Sequence, residues 1–173
     1  MLSKRFAQVA IGAAALLMLA GGPALAKKVK VVPGDPPITV DIPATWEVSD
    51  SKRGIEAKTA DEEVYIWFES YKSTQYDKLI IEHEKYFEEQ GVTITAKPKQ
   101  EEKEHPNFVI KKSDFPAPYE GKPTVLRYPS VVPRSEEKRN RLVTYWTSPD
   151  GDKEYADELT KIMKSLGASI DEQ

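Results

Sequence analysis

The stretch from Glu63 to Gly91 constrains the fold more than any other. In Val64-Tyr65-Ile66-Trp67-Phe68-Glu69-Ser70, the side chains of Val64, Ile66 and Phe68 share one face and those of Tyr65, Trp67 and Glu69 the other, the period of a strand with one dry side. A helix is expected directly after it. Thr74 and Asp77 have the spacing of a capping box, Tyr76, Leu79, Ile80, His83 and Phe87 recur at helical intervals, and Gly91 stands where a left-handed cap ends a helix. A strand feeding a stripe-bearing helix calls for a sheet layer with a helix packed over it.

The first residues read as an address rather than as structure. Lys4 and Arg5 open a basic start, Val9 to Ala20 is apolar, Gly21-Gly22-Pro23 breaks the run, and Ala24-Leu25-Ala26 puts small residues at both cleavage-pocket positions. Residues 1–26 are therefore expected to be a signal peptide, cleaved after Ala26, that sends the chain to the periplasm. A spanning helix needs roughly 20 apolar residues, more than this run supplies. Without cysteine there is neither a lipid-attachment site nor a disulfide, so stability rests on packing. Loss of Lys4 and Arg5 takes the net charge from −3 to about −5. That mild acidity, with no long basic stripe, argues against a nucleic-acid partner.

Residues 27–37 are basic and punctuated by proline, and are expected to be an extended lead-in rather than a packed element. Residues 38–167 read as one globular domain and 168–173 as a short tail. Strands are expected at Ile38 to Ile42, at Trp46-Glu47-Val48 with Trp46 on the core edge, and at Gly54 to Thr59, with a turn over Asp50 to Arg53 and a hairpin tip at Ala60-Asp61-Glu62. Val92 to Thr95 is β-branched and strand-like, Lys97 to Pro106 is charged and reads as a solvated loop, Asn107 to Asp114 returns to strand, and Phe115 to Gly121 is a turn by composition. Thr124 to Val132 and Leu142 to Thr147 are apolar or aromatic on both faces, as strands inside a covered sheet are, and Pro133 to Lys138 is the polar tip between them. Ser148 and Pro149 suit N-cap and N1 of a last helix. Its stripe is Tyr155, Leu159, Ile162, Met163 and Leu166, and Gly167 is expected to stop it. The sum is an α+β chain: an α/β/α sandwich with a mainly antiparallel central sheet and two principal amphipathic helices.

The chain resembles the PsbP-like superfamily, which includes the extrinsic photosystem II subunit, a nuclear Ran-binding import factor and the exported bacterial envelope protein DcrB. The likeness is carried by Ile38-Thr39-Val40-Asp41-Ile42-Pro43-Ala44-Thr45-Trp46, by the central helix ending at Gly91, and by the closing Ile162-Met163-Lys164-Ser165-Leu166. It implies the sandwich fold and a non-catalytic role in binding or assembly. No metal ligands of photosynthetic members map onto numbered positions, and none are carried over.

Local chemistry is sparse. His83 lies on the apolar face of the central helix between Leu79 and Phe87 and is expected to pack there with one hydrogen bond; His83-Glu84 lacks the second histidine that a zinc helix needs. His105 precedes Pro106 in the charged segment and reads as a surface residue. Asp150, Asp152 and Glu154 alternate like a calcium loop, but Tyr155 and Lys161 stand where glycine and glutamate are required, so they read as helix-start acids. Glu84 and Glu88 read as solvated carboxylates. No catalytic residue, metal ligand or cofactor is assigned, and an enzyme is not expected.

Tyr65 and Trp67 are expected to lie under the C-terminal helix; left open, they would form a platform for a partner. The chain thus reads as a non-catalytic periplasmic binding or assembly factor with a protein partner in the envelope, acting through a sheet face or the hairpin from Arg134 to Arg141. The alternative is a binder of a small apolar or lipid-like ligand held between sheet and helix. Solvent exposure of Trp67 and Trp146 separates the two: a flat exposed patch favours a protein partner, an enclosed apolar cavity beside them a ligand.

Overall fold

The computed structural model describes residues 25–33, 37–135 and 137–172, so the signal-peptide reading falls almost wholly outside the described residues. In chain order the elements are β1 (Ala26–Val32), β2 (Ile38–Pro43), β3 (Glu47–Ser51), β4 (Gly54–Lys58) and β5 (Val64–Tyr71). A 3₁₀ turn, Ser73–Gln75, then leads into α1 (Tyr76–Glu89). There follow β6 (Lys99–Glu104), β7 (Phe108–Pro116), β8 (Val125–Arg127), β9 (Ser130–Pro133) and β10 (Asn140–Thr147), and the chain closes with α2 (Pro149–Glu154) and α3 (Ala156–Asp171). β1 and β2 form a hairpin of their own. The main sheet runs β3-β4-β5-β10-β8-β7-β6, with β9 beside β10 and β7, and its ladders are antiparallel.

The period of β5 sets up two cores rather than one dry side. Val64, Ile66 and Phe68 join Ile55, Ala57, Val143 and Tyr145 under the β1–β2 hairpin and under Ile162 and Leu166 of α3. On the opposite face Trp67 and Tyr71 pack with Leu126, Tyr128 and Leu142 against Leu79 and Phe87 of α1. The result is an α+β sandwich in which the hairpin shares an outer layer with α3. Two hydroxyls hold α3 to that hairpin: Ser169 Oγ accepts from the Thr39 N–H at 2.9 Å and Ser165 Oγ from the Asp41 N–H at 2.8 Å. They satisfy the edge of β2 that β1 does not reach.

Several local expectations change. Residues 26–32 of the lead-in are a strand in register with β2, with Val31 buried. In place of the Thr74–Asp77 capping box, the chain before α1 is closed two residues earlier, where the Lys72 N–H donates to Gln75 Oε1 at 2.9 Å. Gly91 caps α1 as expected: its φ is +86°, its N–H reaches Glu88 O at 3.0 Å, and the Val92 N–H reaches Phe87 O at 2.8 Å.

Val92 to Thr95 makes only a bridge to Tyr119 and hydrogen bonds to Pro116 and Pro118, because the prolines opposite cannot sustain a ladder. The charged segment 97–106 contains an exposed edge strand, β6. Thr124 to Val132 is interrupted at Tyr128-Pro129, where proline has no N–H to give, yet the register on either side is the same. The last helix breaks at Tyr155 and runs past Gly167 to Asp171, so residues 168–171 are helix rather than tail.

Candidate functional site

Because α3 leans toward β2, the β7–β9 side of that sheet face is left partly open. A cleft of about 660 Å³ lies there, between the sheet residues Ile66, Ile110, Pro129 and Val143 and the helix residues Leu159 and Met163. Ile110, Pro129, Leu159 and Met163 are half-exposed on its walls, an unusual state for apolar groups facing one another across a packed layer.

Charge closes one end. Arg127 donates to Asp152 through Nη1 at 2.5 Å and Nη2 at 2.9 Å, and the Tyr145 hydroxyl donates to Asp152 Oδ1 at 3.0 Å. Lys112 Nζ lies 3.0 Å from Asp114 Oδ2, whose other oxygen is 3.6 Å from Arg127 Nε. Burial works to raise the Asp152 carboxyl, but the Arg127 guanidinium and the Tyr145 hydroxyl outweigh it and hold the group below its ordinary range. Burial and the adjoining Asp152 push the Tyr145 phenol well up, so it stays a donor. Two cations and two carboxylates thus neutralise each other at this end of the cleft.

Beneath α1, on the other face, lies a buried polar network. Glu69 accepts from Arg53 Nε at 2.9 Å and contacts His83 Nε2; Arg53 Nη1 also donates to Glu82 at 2.7 Å, and Thr144 Oγ1 is 3.5 Å from His83 Nδ1. Burial acts to raise the Glu69 carboxyl, and the hydrogen bond and charge of His83, with those of Arg53, bring it below its usual value. Thr144, His83 and Glu69 have the residue types of a nucleophile triad. Thr144, however, has no exposed surface, which leaves a substrate no approach. The network joins α1 to the β3–β4 turn, β5 and β10 and is structural.

No family model and no curated protein sequence matches the chain. Among solved structures, the solution structure of cyanobacterial PsbP (CyanoP) from Synechocystis sp. PCC 6803 superposes with a TM-score of 0.58 at 8% identity, covering 90% of this chain and 96% of that one. The fold is PsbP-like. At that identity the likeness is one of fold alone.

Within this PsbP-like frame the residues singled out from sequence fall as follows. His83 is buried on α1 as expected, but it meets both Glu69 and Thr144 rather than one partner. His105 stacks on Phe108 with ring centroids 4.0 Å apart. Asp150, Asp152 and Glu154 do not converge: Asp150 pairs with Lys153, Asp152 with Arg127, and Glu154 is exposed. Glu84 and Glu88 are exposed on α1.

Trp67 is covered, though by α1 and not by the C-terminal helix, with Tyr86 and Phe87 edge-on at 5.7 and 5.8 Å. Trp146, half-buried, lies 5.4 Å from the Tyr65 ring and donates to Thr124 Oγ1 at 3.0 Å. Sequence reasoning placed the α3 stripe and allowed a ligand between sheet and helix, but it did not find the residues that line the cleft, because Ile110 and Pro129 were read only as strand residues. The two-sided apolar character of Thr124 to Val132 and Leu142 to Thr147 was its one visible sign.

Proposed function

We propose that this chain is a non-catalytic binding protein of the cell envelope, and that its binding element is the cleft between the sheet and α3, taking a small apolar or lipid-like ligand. The observation that carries this reading is the pair of half-exposed apolar walls, Ile110 and Pro129 against Leu159 and Met163, around a volume suited to a small molecule. The export-like residues 1–26 and the DcrB-like layout of Ile38 to Trp46 support a periplasmic setting. Burial of Trp67 under α1 takes one of the two aromatics of the expected platform, Tyr65 and Trp67, out of a protein partner's reach.

N-phenyl-1-naphthylamine, a neutral apolar fluorophore, tests the reading. Saturable enhancement at one site per chain is expected, abolished by Met163→Trp, which fills the cleft from the helix side. Enhancement that never saturates, or that Met163→Trp leaves untouched, would refute it.

A further inference from the structure

The same sheet face continues past the cleft. Ile110 pairs with Val131 and Val131 with Arg141, so Phe108, Val131 and Arg141 extend the strip that Ile110, Pro129 and Val143 begin. A second hollow of about 210 Å³ lies there, between these residues and Ile170 of α3, with Lys138 and Arg139 at its rim. On α3 Leu159 and Met163 line the first hollow and Ile170 the second, and with Gly167 between them they share one flank, at i, i+4, i+8 and i+11.

Gly167 is the gap in that flank. It has ordinary helical backbone, and a Cβ built on it would meet nothing within 4 Å. Neither a turn nor a close approach requires glycine at this helix-interior position, where it is intrinsically unfavourable. Its effect is to leave open space along the flank between the two hollows.

The charge balance of the second hollow is the reverse of the first. Arg139 donates from Nε and Nη2 to the hydroxyl and carbonyl of Ser70, at 2.7 and 2.9 Å. Arg141 donates from Nη1 to the same hydroxyl at 3.3 Å and to the carbonyls of Arg139 and Asn140. These acceptors are neutral. Among the described residues Lys138, Arg139 and Arg141 form no ion pair, and Arg141 Nε is buried without an acceptor. Burial, with Arg139 alongside, pulls the Arg141 guanidinium down to about 10, the cost of a cation held without its anion.

We propose that the occupant is a long-chain alkyl carboxylate, its acid head on Arg139 and Arg141 and its tail lying under α3 past Gly167 into the apolar cleft. The planar carboxylate matches the guanidinium fork and supplies a countercharge that none of the described residues gives. The half-buried position of both arginines, in a hollow with Ile170 of α3, suits a free acid that can enter, rather than the face of a bilayer. From Arg141 to Tyr145 the strip runs roughly 14 Å along β10, a span an alkyl chain fills.

This inference rests on the cleft being a ligand site, and its test separates the two. Dodecanoate and dodecanol are titrated by calorimetry at neutral pH into the purified full chain. The acid is expected to bind at least tenfold tighter than the alcohol, Arg141→Gln to erase that difference while leaving the alcohol unchanged, and longer acids to gain about fourfold per methylene until the cleft is full. Gly167→Leu keeps the measurement meaningful should Arg141→Gln fold poorly: it is expected to raise the unfolding temperature and yet weaken hexadecanoate more than tenfold.

Equal affinity for acid and alcohol would overturn the acid head and leave the cleft reading standing. Failure of both to bind would remove both. Hexadecanoate affinity unmoved by Gly167→Leu would refute the tail path, and a dimer that forms in competition with dodecanoate would make a second copy of the chain the occupant instead.

Discussion

Glu69 is the residue whose surroundings decide most about the α1 face. It is nearly fully buried, and its folded carboxyl lies below the ordinary 4.5, since His83 and Arg53 more than offset the upward push of burial. A carboxyl depressed by folding adds stability that is present above its unfolded value and is lost as pH falls through its folded one. The unfolding temperature should therefore drop on acidification below about pH 4.5, and Glu69→Gln should drop less steeply; identical slopes for the two proteins would disprove this role. At neutral pH, Glu69→Ala leaves Arg53 and His83 without their shared acceptor, and a loss of ~3 kcal/mol is expected in urea unfolding. Sequence placed Glu69 on the right face of β5. It could not pair it, because Arg53 sits in the β3–β4 turn and His83 on the following helix, and periodicity orders residues within an element but not between elements. Asp152 is the same case, legible as a helix-start acid, with its bidentate partner Arg127 three elements away.

At the scale of elements, two glycines with the same sequence appearance act in opposite ways. Gly91 has φ +86° and closes α1 with both bonds of a left-handed cap, so Gly91→Ala should cost ~1 kcal/mol. Gly167 lies within α3 with room around it, so Gly167→Ala should stabilise by ~0.5–1 kcal/mol. Thermal unfolding of the two variants checks both signs at once, and a loss of stability in Gly167→Ala would mean that the space beside α3 is not open. Gly167 reads as a stop because glycine is the usual residue past a helix end. What continues the helix lies beyond it: Ser169 accepts from the Thr39 N–H and Ile170 packs on the hairpin core. The edge strand β6 was invisible for a different reason. All six of its residues are exposed, so no alternation of apolar and polar groups marks it, and its Lys and Glu side chains are those that protect an open edge.

For the molecule as a whole, the antiparallel sheet was legible from the short connections between successive strands, and the assignment of helices to faces was not. The two faces of β5 are evident in Val64, Ile66 and Phe68 against Tyr65 and Trp67, but nothing in that alternation says which helix covers which. The missing constraint was the β1–β2 hairpin. It occupies the Val64 face and holds α3 there through Ser165 and Ser169, leaving the Trp67 face to α1. The lead-in is thereby an integral part of the fold: Val31 is 5% exposed, Val29 and Val32 pack beside it, and Lys27 Nζ donates to Trp46 O at 2.9 Å. A chain beginning at Lys27 keeps nearly all of these contacts and should unfold at the same temperature as the full chain. A chain beginning at Pro37 loses β1 entirely. Burial of Val31 alone is worth ~2 kcal/mol, and the bared edge of β2 becomes a template for pairing with another copy. Lower thermal stability together with concentration-dependent association in sedimentation is expected for the shorter chain. An unchanged unfolding temperature would mean that β1 only lies against the domain, and that α3 needs no hairpin to hold the cleft open.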